Sequence, residues 1–188
     1  MISVDQIFNN QYYKRSNWIY LLIPISIFFY FFSSLKKYLY RKGFLKIIKI
    51  KVPVLIIGNI TLGGTGKTLL ALNLIENFLK EGYKPALISR GYGGSANNIT
   101  EVFEFSNVGA VGDEALLIKT KSKIPVFIGK DRVSVAKILI KKYPETSIII
   151  SDDGLQHHRL ARDYEIIVVD SQRNFGNGFI FPAGPLRE

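Results

Sequence analysis

Cysteine is missing from the whole chain of 188 residues. Its absence excludes disulfide bonds, thiolate zinc sites and a cysteine nucleophile, and it fits a reducing compartment. Low-complexity linkers and internal repeats are missing as well, and 47% of the residues are apolar. A sequence of this length and composition is enough for one compact domain with a buried core, and it is not that of a disordered protein.

Acidic residues are almost missing from the N-terminal part. Residues 1–51 contain nine Lys or Arg and a single acid, Asp5, whereas residues 52–188 contain 16 basic and 14 acidic residues. The net charge of +10 therefore belongs mostly to one end of the chain. We interpret residues 1–51 as a separate helical segment and residues 52–188 as a domain.

The N-terminal segment has an uncharged run, Trp18 to Phe32, which is rich in aromatic residues. As a helix it would reach about 22 Å at about 1.5 Å per residue, which is short of a hydrocarbon core of about 30 Å. Residues 33–35 make a span borderline, and Pro24 is expected to weaken the helix. After the run comes a basic collar without any acid: Lys36, Lys37, Arg41, Lys42, Lys46, Lys49 and Lys51. This pattern predicts a helix that lies in, or dips into, an anionic membrane surface, with the rest of the chain on the cytoplasmic side.

Three other interpretations of this segment are open. A cleaved signal peptide would need a small-residue cleavage site, and no clear one follows the run. A buried core helix is the plainer alternative. Nucleic-acid binding by the basic residues, with Tyr38, Tyr40 and Phe44, would have no use for the adjoining apolar run, so no nucleic-acid partner is expected.

From residue 52 onward, short apolar runs alternate with helical patterns. The runs predict strands at Val52–Ile57, Pro85–Ser89, Val102–Phe105, Val126–Ile128, Ser147–Ser151 and Glu165–Val169. The patterns predict helices at Lys67–Glu81, Asp113–Lys121 and Arg132–Tyr143. Strands separated by helices indicate βαβ units and a mainly parallel α/β sheet flanked by helices. The tail from Ser171 is predicted to be a loop.

A glycine-rich stretch, GNITLGGTGKT at residues 58–68, stands between the first predicted strand and the first of these helices. This is the context of a P-loop, in which backbone N–H groups and a helix N-terminus hold phosphate, so the fold class is P-loop NTPase-like. Lys67 would contact the β- and γ-phosphates of ATP, and the Thr68 hydroxyl would hold Mg²⁺. The strict pattern requires glycine at position 61, where this sequence has Thr61. The predicted nucleotide-binding residues are Thr61, Leu62, Gly63, Gly64, Thr65, Gly66, Lys67 and Thr68.

Two aspartates follow an apolar run in TSIIISDDG. Asp152 and Asp153 stand at the carboxyl end of a predicted strand, where α/β sheets present ligand-binding groups. Beside a P-loop, an acid at this position is expected to bind magnesium. If the strand continues, the two side chains point to opposite sides and have different roles; a plain turn is the alternative. His157 and His158 do not indicate zinc, because adjacent side chains diverge and no cysteine is present.

Two further motifs carry polar residues at the ends of predicted elements. In VGDEALLI, Asp113 precedes an apolar helix, and the simpler interpretation from the residues alone is a helix N-cap. In SRGYGGS, Arg90 and Tyr92 lie on a glycine loop after the second strand, where a plain turn is the alternative.

Together these motifs resemble the tetraacyldisaccharide 4'-kinase family, the lipid A kinases of Gram-negative envelopes. The resemblance rests on PVLIIGNITLGGTGKT, LISRGYGG, GDEALLI, SDDGLQHHRLARDYEIIVVD and FGNGFIFPAGPLRE, and with the N-terminal segment it covers nearly the whole chain. The displaced glycine of the loop is a feature of that family.

The resemblance implies transfer of the γ-phosphate of ATP to the 4'-hydroxyl of an acylated glucosamine disaccharide 1-phosphate, giving lipid IVA. It places the enzyme at the cytoplasmic face of the inner membrane, with a monotopic or single N-terminal anchor. Asp113, Lys67 and Asp153 are the implied catalytic residues, Asp113 as base or orienting group, and Asp152 and Asp153 lie at the magnesium and phosphate centre. The residues implied in acceptor binding are Arg90, Tyr92, Arg132, Gln156, His157, Arg187 and Glu188.

The resemblance also implies a second α/β domain after the PAGPLRE stretch, with a histidine that pairs with the catalytic aspartate. Neither is in this sequence, so we expect the chain to correspond to the N-terminal domain. One alternative function is therefore a nucleotide-binding module with little activity. The other is a membrane-associated ATPase switch of the partitioning type, which carries lysine just before the two glycines, where this sequence has Leu62.

Overall fold

A six-stranded sheet forms the frame of the chain after residue 52. The structure is a computed structural model and describes residues 17–187. The strands are β1 (Val54–Gly58), β2 (Pro85–Ser89), β3 (Thr100–Glu101), β4 (Val126–Ile128), β5 (Ile148–Asp152) and β6 (Tyr164–Ile167). They pair in the order β3-β4-β2-β5-β1-β6, and every pair is parallel except β3 with β4. The predicted mainly parallel α/β sheet is thereby confirmed.

Helices lie before the first strand and between several of the later ones. In chain order they are a 3₁₀ helix Asn17–Leu22, α1 (Ile23–Arg41), α2 (Lys67–Lys80), α3 (Val108–Val111), α4 (Asp113–Ser122) and α5 (Arg132–Lys142). The three helices predicted after residue 52 are present, each within one residue of its predicted bounds. The short α3 has no predicted counterpart, because four residues hold too little periodicity to indicate a helix.

The core lies along the central strands. β1, β2, β4 and β5 are buried over their whole length, which is typical of parallel strands covered on both faces. On α2, the buried residues Ala71 and Ile75 are one helical turn apart and show which face packs inward. The apolar runs of the sequence therefore specify the interior of the sheet.

One predicted strand is wrong in position. Val102–Phe105 was expected to be the third strand, whereas the structure has β3 at Thr100–Glu101. The aromatic run beyond it turns instead: the Ser106 N–H donates to the Phe103 carbonyl, and the Phe103 N–H donates to the Ser106 hydroxyl. These local hydrogen bonds compete with sheet pairing and end the strand.

The chain divides into two compact units. In the described part, the first consists of residues 17–45, 59–65 and 168–187, and the second of residues 46–58 and 66–167. The whole sheet and helices α2 to α5 belong to the second unit. The predicted division into an N-terminal segment and a kinase domain stays a prediction.

In the first unit, α1 carries the apolar run. Pro24 lies in its first turn, where a missing N–H costs nothing, so it starts the helix and does not interrupt it, contrary to the expected weakening. The helix continues beyond the run as far as Arg41. Within the described residues, Ile19–Arg41 is the one stretch whose length and composition would allow it to cross a membrane. The predicted apolar helix is present, and its attachment to a membrane stays a prediction.

The end of the first unit is a segment that we call the strap, residues 177–187. It consists of turns and isolated bridges, as predicted for the tail. Within it, the Phe181 N–H donates to the Leu186 carbonyl, and the Asn177 side chain donates to the Ala183 carbonyl and accepts from the Phe179 N–H. These internal bonds give an irregular segment a fixed shape.

Candidate active site

The first part of the glycine-rich loop, residues 59–65, is fixed by the strap. The Leu62 N–H donates to the Pro185 carbonyl, and the Arg187 N–H donates to the Ile60 carbonyl, each at 2.8 Å. Thr61 forms an antiparallel bridge with Leu186. The loop backbone is therefore held in place by a segment more than 100 residues further along the sequence.

Within the loop, a buried amide adds a second support. The Asn59 side chain is fully buried and donates from Nδ2 to the Gly63 carbonyl at 2.9 Å. Gly63 has a φ of 105°, a conformation that favours glycine. The positive φ at residue 63 explains why a glycine is found there. Residue 61, where the strict pattern has glycine, is instead the buried threonine that bridges to the strap.

The second part of the loop opens α2. Gly66 has the left-handed conformation with a φ of 80° and is the N-cap of the helix. A glycine offers no side chain to cap the first N–H groups, so these donors are available to an anion. Lys67 is the first helical residue, and its side chain is 11% exposed. Its Nζ lies 3.8 Å from Asp153 Oδ1.

Asp152 is the last residue of β5, beside the end of β1, where it stands in register with Ile57. It is 1% exposed, and its Oδ1 has no hydrogen-bond partner among the described residues. Burial raises the pKa of this carboxyl to about 6, with a further rise from the charge of Glu114, while Lys67 opposes the shift. A buried oxygen without a partner is a costly feature that is typical of a ligand-binding group.

The neighbouring Asp153 has a different environment. β5 ends at Asp152, and Asp153 has a φ of 49° in the left-handed region, so strand alternation is not what separates the two carboxylates. The Asp153 side chain is 41% exposed and faces Lys67. Gly154 follows because a Cβ there would lie 2.7 Å from Ser151 Oγ. The two aspartates thus offer one buried and one accessible carboxylate.

Arg132 begins α5 and is almost completely buried. Its Nη1 donates to the Gly129 carbonyl at 2.6 Å, and its Nη2 lies 3.4 Å from the Asp152 carbonyl. Burial lowers its pKa to about 10; Asp152 and Asp153 oppose that shift, and the charge of Arg90 adds to it. Arg132 therefore supports the carboxyl end of β5, and its predicted contact with the acceptor stays a prediction.

Asp113 does not cap α4 as the simpler interpretation required. The N-cap is Gly112, with φ 86° and ψ 151°, and Asp113 is the first helical residue. The Asp113 side chain is exposed, and its Oδ1 accepts a hydrogen bond from the Glu114 N–H at 2.9 Å. A carboxylate in the first turn still benefits from the helix dipole, while its outer oxygen remains accessible.

The glycine loop after β2 packs against the segment before Asp113. A Cβ on Gly112 would lie 2.3 Å from the Tyr92 carbonyl, and one on Gly94 would lie 2.4 Å from the Ala110 carbonyl. The Ser95 N–H also donates to the Gly109 carbonyl. Gly94 and Gly112, one from each motif, are therefore required by close backbone packing, which sets the positions of Tyr92 and Asp113 relative to each other.

The other predicted site residues have simpler positions. Arg90 and Tyr92 are exposed, and Tyr92 is 79% exposed. Gln156 and His157 are half-buried in the turn after β5, where the His157 N–H donates to the Gly154 carbonyl. Arg187 is in the strap of the first unit, and Glu188 lies outside the described residues.

Sequence reasoning missed Glu114. Its charge acts on Asp152, which shows that the GDE motif brings two acids, not one, to this part of the second unit. Adjacency to Asp113 was the available signal, but the residues alone could not tell that the charge of Glu114 would raise the pKa of Asp152.

A glycine loop after a buried strand, a lysine opening the following helix and an acid at the end of the adjacent parallel strand define a P-loop NTPase-like α/β protein. The family model described as "LpxK: Tetraacyldisaccharide-1-P 4'-kinase" matches residues 18–188. The chain belongs to this family.

Individual relatives agree with the family match. The chain is 44% identical over 178 residues to a tetraacyldisaccharide 4'-kinase of Methylobacillus flagellatus, covering 95% of this chain and 53% of the relative. It is 44% identical over 186 residues to one of Herminiimonas arsenicoxydans, covering 99% of this chain and 52% of the relative. The chain thus spans about half the length of the curated relatives it matches.

A solved structure gives the same result in three dimensions. The crystal structure of LpxK from Aquifex aeolicus, described as the "apo" form in complex with ATP, matches with a TM-score of 0.80 and 31% identity. The match covers 90% of this chain and 54% of that one.

Proposed function

We propose that this chain binds Mg–ATP and directs its γ-phosphate to the 4'-hydroxyl of tetraacyldisaccharide 1-phosphate, the step that gives lipid IVA. The observation that carries the proposal is the group formed by Lys67, Asp153 and the buried, unsatisfied Asp152 at the end of β5. Family membership supports the reaction, and the ATP in the Aquifex aeolicus structure supports the nucleotide.

Nucleotide binding is assigned to residues 61–68. Backbone N–H groups of the loop and of the α2 N-terminus would surround the phosphates, and Lys67 would contact the β- and γ-phosphates. The ion pair with Asp153 is long, and the lysine is mostly enclosed. Lys67 is therefore oriented before the nucleotide binds and can exchange a weak partner for a phosphate.

The oxygen ligands present fit Mg²⁺. This ion prefers oxygen and is usually held by one or two carboxylates together with substrate phosphates. Thr68 offers a hydroxyl, Asp153 an accessible carboxylate and Asp152 a buried oxygen without a partner among the described residues. When bound, the ion would neutralise charge on the transferred phosphate.

The acceptor hydroxyl is assigned to Asp113. Its carboxylate is exposed at the start of α4 and oriented by the Glu114 N–H, which suits a base or an orienting group for an alcohol. We assign acceptor binding to Arg90, Tyr92, Gln156, His157, Arg187 and Glu188, and a supporting role to the buried Arg132.

Attachment to the cytoplasmic face of the inner membrane is assigned to α1. Phe28, Phe31 and Phe32 are each more than 60% exposed, and the basic collar follows on the same helix and beyond it. Exposed aromatic residues next to cations suit the boundary between acyl chains and anionic head groups. A lipid acceptor explains why a kinase would need such a helix.

A phosphotransfer assay tests the proposal. The chain is mixed with Mg–ATP labelled in the γ-phosphate and acylated disaccharide 1-phosphate in detergent micelles, and label in the lipid is measured beside nucleotide affinity. Lys67→Ala should lower transfer by orders of magnitude, since charge stabilisation dominates phosphoryl transfer. Lys80→Ala, which removes an exposed lysine from the other end of α2, should change neither quantity. Near-normal transfer by Lys67→Ala would refute the mechanism.

A second candidate is a nucleotide-binding module with little transferase activity. Membership of a family of kinases does not favour it. This candidate predicts normal Mg–ATP affinity with very little label in the lipid. An ATPase switch would hydrolyse ATP without the acceptor, and family membership does not favour it.

A further inference from the structure

A second cation lies against the phosphate loop. Gly63 has a φ of 105°, and a Cβ built on it would lie 3.3 Å from Nη1 of Arg173. Both residues belong to the first unit, and Gly63 is four residues before Lys67 in the same loop. Because Gly63 has no side chain, the Arg173 guanidinium can lie next to the loop backbone.

A tight turn carries Arg173. The Asp170 carboxylate accepts hydrogen bonds from the backbone N–H groups of Gln172 at 2.8 Å and Arg173 at 3.0 Å. The Gly176 N–H donates to the Arg173 carbonyl at 2.9 Å. These bonds define the backbone of the turn from which the exposed Arg173 side chain extends toward Gly63.

We propose that Arg173 is a further catalytic residue, an arginine supplied in cis that contacts the terminal phosphate of the nucleotide. The proposal rests on the function proposed above. Some P-loop enzymes use an arginine in cis to stabilise charge that develops during phosphoryl transfer, and guanidinium binds phosphate oxygens through two parallel hydrogen bonds. Nothing in the loop motif itself indicates Arg173, which stands 106 positions after Lys67.

Phosphoryl transfer exchanges one bond to the γ-phosphorus for another. The bond between the γ-phosphorus and the bridging oxygen of ADP breaks, a bond to the acceptor oxygen forms, and the hydroxyl proton passes to Asp113. Negative charge grows on ADP and is spread over the transferred group. Arg173 stabilises that charge and takes no part in proton transfer.

The test separates this role from one that only supports the loop. Binding of Mg–ADP, of a non-hydrolysable Mg–ATP analogue, and of Mg–ADP with aluminium fluoride, which imitates the transferring phosphoryl group, is measured by calorimetry. Arg173→Ala should leave Mg–ADP affinity nearly unchanged and weaken the aluminium fluoride complex about 10- to 100-fold, as expected for the loss of hydrogen bonds to a charged group. Arg173→Lys should recover only part of the loss, because it keeps the charge but not the planar fork. Lys80→Ala is the control for removing one cation.

Two results would overturn the assignment. Equal weakening of all three complexes by Arg173→Ala, with an unchanged melting temperature, would mean that the arginine only shapes the loop. Unchanged affinity for the aluminium fluoride complex would mean that it does not contact the transferred group. If the unmodified chain binds none of the three, the proposed function itself is refuted, and the Arg173 assignment with it. Measuring the unmodified chain first therefore distinguishes this outcome from a failure of the Arg173 assignment alone.

Discussion

At the scale of single residues, the site is built from groups that cost the folded state stability. Asp152 is the clearest case, since its carboxylate is buried, has one oxygen without a partner among residues 17–187, and has a pKa raised to about 6 from an ordinary value of 3.8. Such a group is tolerated in a core when binding needs it. Its cost can be measured as a dependence of stability on pH.

The sign of that dependence follows from the direction of the pKa shift. Between about pH 4 and pH 6 the unfolded chain has lost the Asp152 proton while the folded chain retains it, so stability falls as pH rises and levels out above about 6. At about 1.4 kcal/mol per pKa unit, the full cost is up to about 3 kcal/mol. Asp152→Asn should therefore be more stable than the unmodified chain at pH 7.5 and nearly equal to it near pH 4.

Urea unfolding of nucleotide-free and magnesium-free protein at the two pH values checks this prediction. Asp153→Asn, which changes the accessible carboxylate, is the matched control and should alter the pH dependence less. A stability of Asp152→Asn at or below that of the unmodified chain at pH 7.5 would contradict the burial argument.

The SRGYGGS and GDE motifs are in close backbone contact at Gly112. Gly112 has φ 86° and ψ 151°, a region nearly restricted to glycine, and its Cβ would lie 2.3 Å from the Tyr92 carbonyl. Gly112→Ala should lower the free energy of unfolding by about 2–4 kcal/mol, from strain together with overpacking.

Gly93→Ala separates the contribution of backbone strain from that of overpacking. Gly93 also has a positive φ, of 77°, but a Cβ there has no heavy atom within 4 Å. Thermal or urea unfolding of this variant should show only the strain, about 1 kcal/mol. Equal losses in the two variants would show that the contact with Tyr92 does not matter.

At the scale of elements, one hydroxyl fastens the apolar helix to the strap. Ser26 of α1 is buried; its Oγ donates to the Ile180 carbonyl at 2.8 Å and accepts from the Ala183 N–H at 2.9 Å. Phe29 adds an edge-to-face contact with Phe181, with ring centroids 6.0 Å apart. The same strap holds residues 60–62 of the phosphate loop, so helix, strap and loop form one connected structure within the first unit.

Ser26→Ala should leave the Ala183 N–H and the Ile180 carbonyl without this partner. Loss of buried hydrogen bonds of this kind costs about 1–3 kcal/mol, and amide hydrogen exchange at Ala183 should become faster. Ser34→Ala on the same helix is the control and should leave that amide unchanged. Unaltered exchange at Ala183 in Ser26→Ala would mean that the strap does not depend on the helix.

Prediction from sequence was accurate for some continuous apolar runs and wrong for one run of similar composition. Pro85–Ser89 and Val126–Ile128 are found at their predicted bounds, because buried parallel strands are short continuous apolar runs. The aromatic stretch after Glu101 has the same composition but forms a turn through Ser106. Composition describes what a segment can bury, whereas a side-chain hydrogen bond decides where it turns.

At the scale of the whole molecule, the uneven charge has a measurable consequence. Replacing Lys36, Lys37, Arg41 and Lys42 with Gln should weaken binding to anionic vesicles by about 1 kcal/mol per residue near the surface. High salt should imitate part of the loss, since the Debye length is about 3 Å at 1 M. Deletion of residues 1–35 should weaken binding further, and sedimentation with vesicles measures all three effects.

The control is an equal change of charge elsewhere. Replacing the exposed Lys80, Lys84, Lys137 and Lys141 of the second unit with Gln should leave vesicle binding nearly unchanged. Equal losses in the two variants would mean that net charge alone governs binding, and full binding after the deletion would place the attachment elsewhere in the chain.

The sequence by itself determined the features that depend on residues close together along the chain. A P-loop is recognisable because strand, glycines, lysine and helix are consecutive, and Asp152 because it ends an apolar run. Tertiary structure decided how distant segments meet: Glu114 acting on Asp152, Tyr92 against Gly112, and Arg173 against Gly63. Backbone sterics and hydrophobic period act over a few residues and can be read locally. The approach of two loops depends on the packing of every element between them, and no short stretch of sequence contains that information.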